Sequence, residues 1–407
     1  MRALSHLPLS GFRVISAEQY GAGPYGTMFL AQLGADVIKI EPPGPPGKGG
    51  DTARAVGPHF LREGESLYFQ AFNLNKRSLT LDLNAPEGQA VFRRLAGTAH
   101  AVANNMRGDL PDRLGLTYAA LQDINPAIVC AHLSAYGRDN ERARWPGYDY
   151  LMQAEAGYCL LTGDPGGEPQ RMGLSMVDFI TGTIHAIGLL AALVDAQRTG
   201  VGRDVDTDLL SAAVHQTSYP ALWYMNEGDV TERTPRSAHP TATPSQMFRC
   251  ADGWMFVMCQ LPKFWTILLQ RMGQEAGVAE LAADPRFASN ASRLANRAAL
   301  TTALDAIFTQ RPMAHWQALL AGHVPVAPVY GLDQALDNPW LRTTGMREAV
   351  DHPDRAQMQI LANPIRIDGQ RLPNRAAPLL GADTDAILAE LGLAADEVAD
   401  LKRAGIV

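Results

Sequence analysis

The sequence predicts an α/β fold: a doubly wound, mostly parallel, Rossmann-like sheet in a large domain, with a smaller α+β domain attached. Two observations lead to this prediction. Short apolar runs typical of buried strands alternate with segments of helical length, and glycine or proline separates them. The chain of 407 residues is also longer than one usual domain, so two or three domains are expected.

The first 41 residues predict a βαβ unit. Residues 12–16 (FRVIS) form a short apolar strand, and residues 21–26 (GAGPYG) follow as a turn. Residues 27–33 predict a helix that Gly34 ends, and residues 36–41 (DVIKIE) predict the second strand. Two strands joined through a helix are expected to lie parallel.

The same alternation continues towards residue 210. The later predicted elements are a strand at 78–83, a helix from Pro86 to about Ala96, a strand at 128–133, a helix from Asp178 to Arg198 and a strand at 205–210. Pro86 suits a first helical turn, where its missing N–H would have no partner. Gly200 is expected to end the long helix in a left-handed conformation.

Composition changes near Asn226, where a stretch rich in Pro, Thr and charge (226–244) predicts a linker or long functional loop. A strand from Trp254 to Cys259 and amphipathic helices up to about Leu320 follow. The predicted division is therefore a large α/β domain at 1–225, a small domain with its loop at 226–322, and a segment at 323–407 that returns to the large domain.

Composition excludes several classes of protein. With 46% hydrophobic residues and a net charge of −7, the chain is neither disordered nor a general nucleic-acid binder. Its four cysteines form no C-x-x-C pair, so a reduced, cytoplasmic protein is expected. Residues 1–10 show no secretory signal pattern, and no apolar run reaches membrane-spanning length, so no membrane partner is expected.

One glycine pattern indicates a nucleotide site. Gly21, Gly23 and Gly26 match G-x-G-x-x-G, and Glu41 lies 20 positions after Gly21 at the end of the next predicted strand. This is the arrangement of NAD-dependent dehydrogenases. A tight βα turn that needs glycine for packing is the alternative, and Pro24 favours it slightly because proline has no N–H to offer a phosphate. The residues leave both interpretations open.

No metal site is predicted. Asp204, Asp206 and Asp208 imitate the start of a calcium loop, but Leu209 and His215 occupy its sixth and twelfth positions, where Gly and Glu are needed. The sequence contains no H-E-x-x-H motif and no G-x-S-x-G elbow, so zinc-protease and serine-hydrolase chemistry have no support.

Asp178 is the candidate catalytic residue. It stands at the start of the long predicted helix, within GLSMVDFITG. One interpretation is an N-cap that accepts N–H bonds from the first turn. The other is a carboxylate kept ionised by the helix field, able to attack an activated acyl group as a covalent nucleophile. The two interpretations are compatible.

Several segments carry a family resemblance over nearly the whole chain. In order they are LSGFRVI (9–15), AGPYGTMFLAQLGADVIKIEPPG (22–44), NLNKRSLTLDLNAPEG (73–88), DRLGL (112–116), INPAIVCAHLSAYG (124–137), PGYDYLMQAEAG (146–157), VDFITGTIHAIGLLAAL (177–193) with RTGVGRDVDTDLL, and APLLGADTDAILAELGL (377–393). The sequence resembles the class III CoA-transferases (CaiB/BaiF-like), the family of formyl-CoA transferase and carnitine CoA-transferase.

The resemblance implies a set of site residues. Asp178 matches the family's catalytic aspartate, and the GAGPYG turn would border a CoA site rather than a nicotinamide site. The CoA contacts it implies are Tyr20, Gly21, Leu81 to Asn84, Asn105, Arg113, Ser134, Ala135, Tyr136 and Gly137. Because CoA carries several negative charges, Arg54, Arg107, Lys76 and Arg77 are further phosphate candidates.

The resemblance also implies the reaction and the assembly. CoA would pass from an acyl-CoA to a small carboxylic acid, with dicarboxylic acids as first candidates, through a mixed anhydride and a thioester on Asp178. CoA would act as part of the substrate, with no tightly bound cofactor. Two ring-shaped chains would interlock as a homodimer.

Two departures from the family pattern bear on the site. Pro42 stands where some members have an arginine, and the loop at 237–244 lacks the glycines that close over the site in formyl-CoA transferase. Tyr148, Tyr136, Trp223 and that loop are candidates for the acceptor pocket. Tyr148 also replaces the histidine of the G-H-D segment of 2-methylacyl-CoA racemases, and a phenol with a pKa near 10 is a poor base. A racemase and a non-enzymatic acyl-CoA-binding protein remain as alternatives.

Overall fold

The computed structural model describes residues 6–45 and 47–407, which form two compact units. The first contains the chain up to Ala156, Met172–Ser218 and Pro339–Val407, and the second contains Gly157–Arg171 and Tyr219–Asn338. The predicted boundaries at 225/226 and 322/323 differ from these. The chain re-enters the first unit only at Pro339 because Val326–Pro328 pairs with a strand of the second unit.

The strands are β1 (Arg13–Ala17), β2 (Asp36–Glu41), β3 (Phe60–Arg62), β4 (Glu65–Ser66), β5 (Arg77–Thr80), β6 (Ala101–Asn104), β7 (Val129–Ser134), β8 (Arg203–Asp208), β9 (Ser245–Arg249), β10 (Trp254–Met258), β11 (Val326–Pro328), β12 (Arg347–His352), β13 (Arg355–Leu361), β14 (Arg366–Ile367) and β15 (Gln370–Arg371).

The α-helices are α1 (Ala22–Gln32), α2 (Leu67–Asn73), α3 (Pro86–Ala96), α4 (Leu110–Arg113), α5 (Tyr118–Leu121), α6 (Asp149–Glu155), α7 (Tyr158–Leu161), α8 (Met176–Thr199), α9 (Leu209–Gln216), α10 (Ser218–Glu227), α11 (Pro262–Met272), α12 (Val278–Ala283), α13 (Asn290–Ala295), α14 (Arg297–Phe308), α15 (Met313–Leu320), α16 (Leu332–Asp337), α17 (Pro339–Thr343), α18 (Thr384–Glu390) and α19 (Ala395–Arg403). Short 3₁₀ helices cover Thr52–Ala55, Pro235–Ser237 and Pro285–Phe287.

The first unit confirms the predicted parallel sheet. Its six strands lie in the order β5-β2-β1-β6-β7-β8, and every neighbouring pair is parallel. The chain winds from β1 through β2 to the edge strand β5, then returns to place β6 on the other side of β1. The direction of winding therefore reverses between β1 and β6, and ligands of such sheets bind at the carboxyl ends of the strands beside that reversal.

Alternating apolar side chains cover both faces of this sheet. Val14 and Val37 pack on one face with residues of α1 and α8, whereas their neighbours Ile15 and Ile38 pack on the other with residues of α3 and α18. Successive strand residues point to opposite faces, so a continuous apolar run predicts a strand buried on both sides. The strand β2 is buried on both faces and begins and ends at the predicted residues, 36 and 41.

The predicted turn at residues 21–26 is wrong. The helix α1 already begins at Ala22, with Gly21 as its N-cap, so most of GAGPYG is helical. Glycine disfavours a helix in isolation, but here the glycines permit close packing. A Cβ added to Gly26 would lie 2.3 Å from the backbone oxygen of Gly182 in α8.

The long helix α8 begins at Met176, two residues before its predicted start at Asp178. Gly200 follows it in the predicted left-handed conformation (φ 72°). By length and composition alone α8 could span a membrane, with a mean hydropathy of 1.8, but half of that apolar window is buried inside the protein. Its buried residues include Leu189 and Leu193, which pack in the same cluster as Val14 and Val37 of the sheet.

The second unit has its own antiparallel sheet and core. The strands β11, β10 and β9 pair in that order, against a cluster that includes Phe248, Phe308 and Trp316. Arginines of α13 and α14 donate hydrogen bonds to the backbone of the loop at 237–244. Arg293 donates to the oxygen of Thr243 (3.2 Å), and Arg297 donates to the oxygen of His239 (2.6 Å).

Candidate active site

Asp178 is a buried carboxylate near the start of α8. The helix begins at Met176, so Asp178 is its third residue and only 9% exposed. The predicted N-cap role is wrong: Ser175 holds the cap position, and it makes no side-chain capping bond. Among the described residues, no group donates a hydrogen bond to the Asp178 carboxylate, which leaves it available for chemistry.

Asp149, the first residue of α6, supplies the missing cap. Its Oδ2 accepts the backbone N–H of Asp178 at 2.9 Å. Its Oδ1 accepts from Nε2 of Gln153 at 2.6 Å, and both side chains are buried. The N–H at this helical position has no partner within the helix, so Asp149 fixes the first turn of α8 and with it the backbone of Asp178.

Burial controls the charge of Asp178. Loss of hydration raises the pKa of its carboxyl from 3.8 to about 7, and the nearby charge of Asp149 adds to the rise. The helix field was expected to keep this carboxylate ionised, but desolvation dominates. Burial therefore favours the neutral form of Asp178 more than it is favoured in an exposed aspartate.

The N-terminus of α1 lies directly beside Asp178. A Cβ added to Gly21 would lie 2.7 Å from Oδ2 of Asp178. The N–H groups of Ala22 and Gly23, at the first two helical positions, have no acceptor within the helix. The site therefore combines a carboxylate with backbone N–H donors at the carboxyl ends of the central strands β1 and β6.

Tyrosines surround the entrance to this site. The ring of Tyr20 lies 5.3 Å from that of Tyr68 and 6.2 Å from that of Tyr148. Tyr20 has a left-handed backbone (φ 69°) that is unfavourable for a side chain of this size. Its N–H is held by Oδ1 of Asp51 at 2.9 Å, and Oδ2 of Asp51 pairs with Nζ of Lys39 at 2.8 Å, with both side chains fully buried.

A cavity of about 510 Å³ opens next to Asp178. Eight predicted site residues line it, namely Tyr20, Gly21, Asn105, Arg107, Ser134, Ala135, Tyr148 and Asp178. A second cavity, of about 140 Å³, is lined by the predicted residues Leu81 and Asn84. The two cavities share Gln19 and Met106 as walls, so they lie side by side at the carboxyl ends of β1 and β6, and we call them together the groove.

Two hydrogen bonds hold Gln19, which forms part of the wall common to both cavities. Oδ1 of Asn105 accepts the N–H of Gln19 at 2.8 Å, and Nδ2 of Asn105 donates to the oxygen of Gln19 at 2.6 Å. This paired contact ties the segment after β1 to the segment after β6. Asn105 therefore shapes the groove as well as lining it.

The structure does not bring every predicted cation to the groove. Arg54 is a correction to the predicted phosphate contacts: its guanidinium is 1% exposed, pairs with Glu41 (2.7 Å) and Glu65 (2.7 Å), and lines neither cavity of the groove. Lys76 is buried and donates to the backbone oxygen of Pro24 at 2.9 Å. Arg77 pairs with Glu390 at 2.6 Å.

Arg107 and Arg113 remain accessible to solvent. Arg107 lines the larger cavity and pairs with Asp109 at 2.6 Å on the surface. Arg113 is exposed at the end of α4, next to Leu114, a wall of the smaller cavity. Of the remaining predictions, Tyr136 packs against Trp145 (5.8 Å), and the N–H of Gly137 donates to Ser134. Neither is among the cavity-lining residues.

The nicotinamide interpretation of the glycine pattern is wrong for this structure. Glu41, the acidic residue of that pattern, is fully buried, and its carboxylate accepts from Arg54, Ser78 and the N–H of Asp51. Burial by itself would raise the pKa of Glu41, but the hydrogen bond and charge of Arg54 lower it to about 2. No oxygen of Glu41 is therefore free to bind a ribose.

Asp204, Asp208 and Trp223 make contacts within the fold. Within residues 6–45 and 47–407, no group of His, Cys, Asp or Glu side chains is arranged to hold a metal ion. Asp208 caps α9, and Asp204 binds His132 at 2.8 Å. Trp223 packs against Tyr219 in the second unit.

Sequence reasoning missed Asp149 and Gln153. They lie four residues apart on α6, a spacing that places side chains on the same face of a helix. In the segment Gly147-Tyr148-Asp149, the sequence predicted a site role for Tyr148 alone. Tyr68 was also missed, because its place beside Tyr20 depends on long-range packing.

Comparison with known proteins identifies the class. The family described as CoA-transferase family III matches residues 9–384. The chain therefore belongs to CoA-transferase family III, and it is an enzyme of the transferase class.

The chain resembles several CoA-transferases of this family. It is 32% identical to a succinate–glutarate CoA-transferase of Agrobacterium fabrum, over 94% of this chain and 96% of the relative. It is 33% identical to an acetyl-CoA:oxalate CoA-transferase of Acetobacter aceti, over 90% and 91%. A crystal structure of a CaiB/BaiF family protein from Brucella suis matches with a TM-score of 0.82 and 33% identity, over 95% of this chain and 100% of that one.

Proposed function

We propose that this enzyme transfers CoA from an acyl-CoA to a small dicarboxylic acid, with Asp178 as the covalent nucleophile. The observation that carries the proposal is the Asp178 carboxylate: buried, without a hydrogen-bond donor among the described residues, and open to a cavity beside a helix N-terminus. Relatives of this chain are CoA-transferases named for succinate, glutarate, oxalate and mesaconate. These acids suggest the acceptor class.

CoA would lie along the groove. Its thioester end belongs in the larger cavity beside Asp178, and its adenine belongs in the smaller cavity beside Leu81 and Asn84. Arg107 is the cation that lines the larger cavity in the described chain, and it would pair with a CoA phosphate. Tyr148, 64% exposed at the cavity edge, would contact the acceptor acid.

The first half of the reaction loads the enzyme. The Asp178 carboxylate attacks the carbonyl carbon of the donor thioester, so a C–O bond forms, the C–S bond breaks, and CoA leaves as a thiolate. The product on the enzyme is a mixed anhydride. The thiolate then attacks the Asp178 carbonyl, which releases the donor acid as a carboxylate and leaves CoA bound to Asp178 as a thioester.

The second half reverses these steps with the acceptor. Its carboxylate attacks the Asp178 thioester, giving a new anhydride and free thiolate. The thiolate attacks the acceptor carbonyl, so the new acyl-CoA forms and Asp178 returns to a carboxylate. One thioester is formed for each one broken, so no ATP is needed. The N–H groups of Ala22 and Gly23 are the proposed donors to the oxyanions along this path.

The proposal predicts an acid limb in the pH profile. Asp178 must be ionised to attack, and burial raises its pKa to about 7. A group with a raised pKa is protonated below that value, so kcat/KM should fall about tenfold for each pH unit below about 7 and level off above it. Initial rates between pH 5 and 9, with acyl-CoA well below its KM, test this. A profile that stays flat down to pH 5 would contradict the prediction.

The function is tested by a panel of donors and acceptors. Succinyl-CoA, acetyl-CoA and glutaryl-CoA are each incubated with oxalate, succinate, glutarate, mesaconate and the monocarboxylates acetate and butyrate, and the acyl-CoA products are identified by mass spectrometry. CoA exchange with a dicarboxylate supports the proposal. Exchange restricted to monocarboxylates would refute the acceptor class, and the absence of any exchange would refute the reaction.

Covalent chemistry is tested separately. Hydroxylamine added during turnover should convert Asp178 to a hydroxamate, which peptide mass spectrometry detects. The same treatment without acyl-CoA is the control. Modification at another carboxylate in place of Asp178 would assign the nucleophile elsewhere.

We also propose that the enzyme acts as a homodimer. The helix α10 exposes several large apolar side chains, including Leu222 (57%), Tyr224 (61%) and Met225 (67%). A row of this kind is typical of an interaction surface. Mass photometry at nanomolar concentration should give about twice the chain mass of 44.0 kDa.

A further inference from the structure

Gln153, on α6, makes three buried hydrogen bonds close to the first turn of α8. Its side chain is 0% exposed. Its Nε2 donates to Oδ1 of Asp149 (2.6 Å) and to the oxygen of Leu174 (3.2 Å), while its Oε1 accepts the N–H of Met172 (2.8 Å). An amide is the one neutral side chain that can donate and accept in this pattern.

These bonds join two separate stretches of chain. The first unit is interrupted after Ala156 and resumes at Met172, and the resumed chain leads through Ser175 into α8. Gln153 holds this returning segment at Met172 and Leu174, and it also holds Asp149 on its own helix. Both contacts converge on the first turn of α8, where Asp178 lies.

The orientation of Asp149 depends on Gln153. One oxygen of Asp149 takes the N–H of Asp178, and the other takes the amide of Gln153. Without that amide, Asp149 could rotate away, and the N–H of Asp178 would lose its acceptor. Ser175 does not replace it, since it makes no side-chain capping bond.

We propose that Gln153 is a positioning residue for the transfer reaction, acting through Asp149 to hold the Asp178 carboxylate against the N-terminus of α1. This inference rests on the proposed role of Asp178 as nucleophile. Gln153 touches neither substrate nor the reacting atoms in this scheme. Its loss should therefore slow the chemical step and leave acyl-CoA binding nearly unchanged.

The test compares Gln153→Met with a matched control, Gln70→Met. Gln70 is also buried (3% exposed) and bonds to the backbone N–H of Ala377 at 2.9 Å, but it contacts neither Asp149 nor Asp178. Gln153→Met should lower kcat about 30-fold, with KM for acyl-CoA changed less than about threefold, because small misplacements of a nucleophile cost rate rather than binding. Gln70→Met should leave kcat within about threefold of wild type.

A double-mutant cycle separates positioning from a general loss of stability. If Gln153 acts through Asp149, adding Gln153→Met to Asp149→Ala should lower kcat by less than about threefold further. Gln70→Met should have the same small effect in both backgrounds. Thermal unfolding confirms that each variant is folded at the assay temperature.

Three outcomes would overturn the inference: an unchanged kcat in Gln153→Met, a loss equal to that of Gln70→Met, or full additivity of Gln153→Met with Asp149→Ala. A wild-type enzyme that transfers CoA while Gln153→Met behaves normally refutes only the role of Gln153. A wild-type enzyme with no CoA transfer to any acid refutes the proposed function instead.

Discussion

The substitution Asp178→Asn is expected to abolish CoA transfer and, at pH 8, to make the folded protein more stable. An amide cannot form the anhydride or the thioester, so turnover should fall by at least about 10⁴-fold. The gain in stability follows from burial, which raises the pKa of Asp178 from 3.8 to about 7. A carboxyl whose pKa is raised on folding stabilises the folded state while protonated, and this contribution is lost as the pH rises through about 7.

The size of that gain depends on pH in a defined way. At pH 8 the wild-type carboxylate is ionised in a buried position, and replacing it with a neutral amide should raise the free energy of unfolding by about 2–4 kcal/mol. At pH 4 the carboxyl is neutral in the folded state, so the gain should shrink below about 1 kcal/mol. Urea unfolding of both proteins at the two pH values measures this.

The exposed carboxylate of Asp229 provides the control. Asp229→Asn should change neither turnover nor stability measurably at either pH. Residual transfer by Asp178→Asn above the level without enzyme would remove Asp178 from its role. A stability gain that is equal at pH 4 and pH 8 would contradict the burial argument.

Local patterns predicted much of the fold because they report burial directly. The strand β2 is buried on both faces, and its bounds match the prediction. Asp178 was recognised because an isolated carboxylate within an apolar stretch is conspicuous in any sequence. The family resemblance implied a set of site residues, and most of those residues line one of the two cavities.

The features that the sequence did not predict depend on contacts between residues far apart in the chain. Arg54 looks like any surface arginine, and its burial depends on Glu41 and Glu65, which lie 13 and 11 residues away in other elements. The distance from Asp149 to Asp178 is 29 positions, so no local rule indicates that one holds the other. The turn predicted for GAGPYG is wrong because glycine is needed there for close packing against α8. Helix propensity describes a residue within its own helix and does not include such a contact with a neighbouring helix.

The contact between α1 and α8 sets the distance between Asp178 and the N-terminus of α1. A Cβ at Gly26 would lie 2.3 Å from the oxygen of Gly182, and a Cβ at Gly182 would lie 2.2 Å from the oxygen of Ala22. Both obstacles are backbone atoms, which cannot move aside as a side chain can. The two glycines therefore allow the N-terminus of α1 to reach Asp178.

The substitution Gly26→Ala should consequently damage stability and catalysis together. The two helices must separate by about 1 Å, at a cost of about 3 kcal/mol in the free energy of unfolding. The same displacement carries the N–H groups of Ala22 and Gly23 away from Asp178, so kcat should fall about 100-fold. Urea unfolding and initial rates at saturating acyl-CoA measure the two effects.

The substitution Gly188→Ala on the same helix is the matched control. Its added Cβ would meet only Cγ1 of Val205, at 3.1 Å, and that methyl group can shift. Alanine also favours a helix over glycine by up to about 1 kcal/mol, so stability should be unchanged or slightly higher, with normal kcat. If Gly26→Ala resembles this control, close approach of α1 and α8 is not required. If Gly26→Ala loses stability but keeps kcat, the N-terminus of α1 does not supply the oxyanion donors.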